Sequence, residues 1–64
     1  MTEEELTQTI EVLRKEVEIL TLGTRLEPHA IGYIPFHKRH ASFHAVEVMN
    51  GRIDELMQEA QDRQ

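Results

Sequence analysis

Leu6-Thr7-Gln8-Thr9-Ile10-Glu11-Val12-Leu13-Arg14-Lys15-Glu16-Val17-Glu18-Ile19-Leu20 is the stretch whose reading decides the fold. Leu6, Ile10, Leu13, Val17 and Leu20 recur at spacings of 4, 3, 4 and 3, the pattern of a helix that packs along another helix. Thr9, Val12 and Ile19 widen the apolar arc to about half the circumference at about 100° per residue. One partner helix leaves part of so wide a face open; two would cover it. Thr2 followed by Glu5 matches a capping box, and the acids at 3–5 suit the positive end of the helix dipole. Gly23 is the natural stop signal, so the first helix is predicted over about 3–22.

Downstream, Val46, Met49, Ile53, Leu56 and Ala60 give a second seam with spacings of 3, 4, 3 and 4. The seam keeps its phase across Asn50-Gly51, which predicts one helix over about 35–61, with Pro35 at its first position. Gly51 weakens that helix by about 1 kcal/mol relative to Ala. It is read either as an exposed glycine or as a point of close approach. Between the helices, Gly23, Pro28, Gly32 and Pro35 break the periodicity. Leu26, Ile31, Tyr33 and Ile34 make this segment too apolar for a free linker, so residues 23–34 are expected to fold back and cap the end of the core. The fold class is all-α, a helical hairpin forming a single domain over residues 1–64. A lone hairpin leaves the wide face of the first helix exposed, which predicts pairing of two copies into an antiparallel four-helix bundle.

Composition narrows the function classes. The chain has 64 residues, no cysteine and a net charge of −5. So short a chain buries only about 60% of its unfolded surface, and association is the remaining source of stability once disulfides are excluded. No apolar run reaches the roughly 18 residues of a membrane span, and the acidic start is unlike a signal peptide, so a cytoplasmic location and no membrane partner are expected. Charge is unevenly laid out. Residues 1–22 carry six acids and two bases, residues 23–46 one acid and three bases, and residues 47–64 five acids and two bases. The global balance argues against duplex DNA as a partner. An antiparallel pairing of hairpins would bring the Lys38/Arg39 end of one copy to the Glu3-Glu4-Glu5 end of the other.

The basic centre is Pro35-Phe36-His37-Lys38-Arg39-His40-Ala41-Ser42-Phe43-His44, cations at the end of a helix where carboxylates are favoured. His37, His40 and His44 lie at i, i+3 and i+7 and point away from the seam. No cysteine is present, and Glu47 is the one acid nearby, so no metal or other cofactor is expected. Lys38, Arg39 and Ser42 fall on the seam side. They are read either as a small anion pocket with the free N–H groups of the helix start, or as solvated residues that pair with acids of a sister chain. Tyr33, Phe36 and Phe43 cluster beside them, as a plug for the core or as stacking faces. No catalytic motif is present, so the chain is not expected to be an enzyme.

The run Ala45-Val46-Glu47-Val48-Met49-Asn50-Gly51-Arg52-Ile53 resembles the second helix of small phage helical-hairpin proteins that act as sponges for nucleotide signals of bacterial immune systems, at Ala45, Val46, Asn50 and Ile53. The resemblance implies an oligomeric sponge for a phosphate-bearing small molecule, with contacts near Lys38, Arg39 and Ser42. The residues themselves favour a non-enzymatic, self-associating regulator or inhibitor of bacterial or phage type. It would bind a partner protein through Tyr33, Phe36, His37, Lys38, Arg39, His40, Ser42, Phe43 and His44, with the small anionic ligand as the alternative.

Overall fold

The computed structural model describes residues 1–63. Two helices, α1 (Glu3–Gly23) and α2 (Arg39–Asp62), pack against each other as a hairpin, and a single 3₁₀ turn (Phe36–Lys38) leads into the second. At about 1.5 Å per residue their 21 and 24 residues span about 31 and 36 Å.

α1 begins as the sequence predicts. The Thr2 hydroxyl accepts from the Glu5 N–H at 3.1 Å, and the Glu5 carboxylate accepts from the Thr2 N–H at 3.4 Å. The Thr2 hydroxyl, then the Thr2 N–H, hold the Glu5 carboxyl below its ordinary 4.5. A depressed carboxyl stabilises the fold above 4.5 and loses that contribution as pH falls through its lowered value. α2 has no comparable start, for Lys38 occupies the capping position without a side-chain bond and no acid stands in the first turn.

The seam residues of both helices turn toward each other. Leu6, Ile53 and Leu56 are buried, whereas Ile10, Leu13, Val17, Leu20, Val46 and Met49 are half-buried. Two helices side by side make only one layer. The hairpin measures 45 × 19 × 14 Å, and its radius of gyration of 14.2 Å exceeds the roughly 10.7 Å of a compact chain this long. The outer part of the α1 arc stays in solvent, with Val12 59% and Ile19 56% exposed.

Two sequence expectations change at the loop, and one gains a physical reason. Gly23 ends α1 as predicted, with Thr24 capping the helix in the right-handed region. Gly23 is required for space: a Cβ there would lie 2.7 Å from the Ile34 side chain and 2.8 Å from the Gly32 carbonyl oxygen. The left-handed residue is Gly32, at φ +92°. Pro35 is not the first residue of α2. Its ψ of 153° is extended, and its carbonyl accepts from the Lys38 N–H at 2.9 Å to open the 3₁₀ turn, so α2 proper starts at Arg39. The cap is also smaller than expected. The Ile34 N–H donates to the Gly23 carbonyl at 2.9 Å and Tyr33 and Ile34 are half-buried, but Ile31 is 100% exposed and Leu26 37%.

The two helical glycines therefore respond in opposite directions. A Cβ on Gly51 meets nothing within 4 Å, so Gly51→Ala should stabilise the fold by about 1 kcal/mol through helix propensity. Gly23→Ala should destabilise it by about 1–3 kcal/mol, since backbone must shift to admit the methyl. Thermal melts monitored at 222 nm check both, and two shifts of the same sign would contradict these roles.

Candidate functional site

The loop end of the hairpin gathers the basic and aromatic residues. Gly32 turns the chain back, Ile34 docks on Gly23, and the extended Pro35 sets the 3₁₀ turn beside Tyr33. Arg39, half-buried at the start of α2, then reaches back over the loop. Its guanidinium carbon lies 5.7 Å from the Phe36 ring centroid and 6.0 Å from that of Tyr33. Its Nε–H donates to the Ile34 carbonyl at 3.4 Å. Each cation–π contact is worth about 0.5–1 kcal/mol at a partly exposed site. Arg39 thus ties three loop residues to α2.

Ser42 is engaged as well, its hydroxyl donating to the Lys38 carbonyl at 3.2 Å, one turn back along the helix. Of the three donors grouped in the sequence as an anion pocket, Arg39 and Ser42 are bonded within the chain and Lys38 is exposed. The three do not converge on one point through these contacts.

The remaining site residues project outward. Phe36 is 81% exposed despite its contact with Arg39, and Phe43, one turn into α2, is 57% exposed. His37, His40 and His44 are exposed. His37 belongs to the 3₁₀ turn, where each residue advances about 120° rather than about 100°, so only His40 and His44 share a helical stripe. Among the described residues, no group of three histidine, aspartate or glutamate side chains could hold a metal ion.

Ile31, fully exposed beside this cluster, was placed by the sequence in the core cap. No periodicity marks it, because a loop residue's direction depends on turns such as that at Gly32. A shallow cleft of about 250 Å³ lies at the other end of the hairpin, lined by Glu3, Leu6, Thr7, Ile10 and Ala60. Its one charged residue is acidic, the wrong sign for a phosphate. Among the described residues, no helix is long and apolar enough to cross a membrane. No family model, curated protein or solved structure matches the chain.

Tyr33 is the single tyrosine and the chain has no tryptophan, so its fluorescence reports on this cluster alone. Arg39→Ala should raise acrylamide quenching of Tyr33 and lower stability by about 1 kcal/mol, or about 4–8 °C. Arg39→Lys should not restore the wild-type values, because an ammonium lacks the planar face that stacks on both rings. Unchanged quenching in Arg39→Ala would contradict the tie.

Proposed function

We propose that this chain is a non-enzymatic interaction protein, a small regulator or inhibitor of bacterial or phage type. It pairs with a second copy into an antiparallel four-helix bundle and binds a partner protein with its loop end. The observation that carries the reading is Phe36, held 81% exposed while the Arg39 guanidinium lies against its ring. Aromatic and arginine side chains on a fixed backbone are the residues that dominate binding energy at protein interfaces. Ile31 and Phe43 enlarge the apolar area, and Lys38 with the histidines rims it with polar groups. A core of apolar anchors inside a polar rim is the anatomy of a protein-binding surface.

The second reading is an oligomeric sponge for a small phosphate-bearing ligand. One feature favours it: the start of α2 has no side-chain cap and stands beside Lys38, although the Lys38 and Arg39 N–H groups already donate to the Pro35 and Phe36 carbonyls. The engagement of Arg39 and Ser42 within the chain weighs against it.

The two readings separate with one pair of variants. Phe36→Ala/Phe43→Ala should stay folded, with a melting temperature lowered by no more than about 4–8 °C, the loss of the Arg39–Phe36 contact. The same variant should lose at least tenfold in affinity for the protein that the wild type captures. Equal capture by the double variant would contradict the protein-binding reading. Stabilisation of the wild type by a cyclic nucleotide, lost in Lys38→Ala, would replace it with the second.

A further inference from the structure

One stripe of α2 is used by neither the packing seam nor the Arg39 tie. At about 100° per residue, His40, His44 and Glu47 lie within about 60° of one another. They sit about 120–180° round the helix from Ile53 at the centre of the seam, on the side away from α1. All three are exposed, and among the described residues none makes a side-chain hydrogen bond or ion pair. The α-helix is continuous from Arg39, so its backbone alone holds His40 and His44 one turn apart. Of the four histidines, His29 lies in the loop and His37 in the 3₁₀ turn, which leaves this one pair.

We propose that His40 and His44 form a site for one divalent late transition-metal ion, of the class of Zn²⁺, whose outward positions are filled by water. Side chains four apart on a helix have Cβ atoms about 5–6 Å apart. A tetrahedral ion with bonds of about 2.0–2.1 Å needs its two imidazole nitrogens about 3.3 Å apart. Rotation about the side-chain bonds closes that difference with no change of backbone. The same spacing on one helical face serves as a zinc-binding pair elsewhere.

The ligand set selects the ion and its coordination. Imidazole suits Zn²⁺, Cu²⁺ and Ni²⁺, whereas Mg²⁺ and Ca²⁺ prefer oxygen. No three side chains among the described residues converge on a metal, so the chain supplies two ligands and the ion keeps water. Glu47, one turn beyond His44, adds negative charge to the stripe rather than a bond.

Lys38, Arg39 and the positive end of the α2 dipole oppose a cation at this point. The Arg39 guanidinium is drawn over Phe36 and Tyr33, and its position lies about 100° round the helix from His40. The dipole acts within the first turn, and His44 lies beyond it. Lys38 is exposed, so water weakens its repulsion. These effects weaken the site without removing either ligand. Binding in turn favours the folded chain, because the unfolded chain does not hold the two rings together. The site requires neither a second copy nor a partner protein.

Thermal melts of the untagged chain at about pH 7.5, where an imidazole of ordinary pKa about 6.5 is neutral, test the site. Saturating zinc chloride should raise the wild-type midpoint by at least about 4 °C, and magnesium chloride should leave it unchanged. His40→Ala and His44→Ala should each abolish the zinc rise, whereas His29→Ala and His37→Ala should keep it. His44→Ala/Val48→His keeps four histidines, with the new one at an exposed position, but sets the pair about 12 Å apart. It should abolish the rise as well. Each variant is compared with itself, with and without zinc, so a change in its own stability does not enter. Calorimetric titration of the wild type should give one zinc per chain. No rise in the wild type, an equal rise with magnesium, or a rise that survives either alanine or the displaced histidine would overturn the site. Loss of the rise in His29→Ala or His37→Ala would contradict the pairing of His40 with His44, and one zinc per two chains would contradict the water-filled positions.

Discussion

A single apolar seam, closed on Leu6, Ile53 and Leu56, holds the two helices together, and every other feature depends on how little it covers. A helix presents a seam to one neighbour, yet the arc of α1 runs on through Val12 and Ile19, which remain more than half exposed. Among the described residues no third helix or strand lies over them, and the structure is 14 Å across its thinnest dimension. Leu and Ile side chains each contribute about 1.5–3 kcal/mol when fully buried. Three such residues are a small reserve against the entropy of ordering a chain of this length. The hairpin thus leaves one face of α1 open, and that face and the charges carry the functional reading.

The loop end solves a different problem, returning the chain without a large cap. Gly23 lets Ile34 approach within a distance that a methyl group would forbid, and Gly32 supplies the left-handed turn that brings Ile34 there. Arg39 then fixes Tyr33 and Phe36 against the start of α2. The same tie that stabilises the loop leaves Phe36 facing solvent. Packing and presentation at this end are one arrangement, and an anion pocket formed by Arg39 would have to break it.

The helices were legible in the sequence because periodicity and capping are local. The spacing of Leu6 to Leu20 and of Val46 to Ala60 places both seams, and Thr2 with Glu5 marks the start of α1 to the residue. The loop was not, because its roles are set across the chain. Gly23 reads as a stop signal from its position and does end α1, but only its neighbour Ile34, eleven positions on, shows it to be a spacing residue as well. Pro35 fits a helix start by its fixed φ, but ψ decides, and here it is extended. Arg39 and Ser42 read as free donors, since nothing local shows the Ile34 carbonyl or the Lys38 carbonyl as their acceptors.

The central claim is that the hairpin completes its fold by covering one face with a second copy. Thermal unfolding across a wide range of chain concentration tests it most directly, because coupling of folding to association makes the melting temperature depend on concentration. The account predicts a midpoint that rises steadily with concentration through the micromolar range, accompanied by a dimeric mass in sedimentation. A midpoint independent of concentration, at the mass of a single chain, would contradict it.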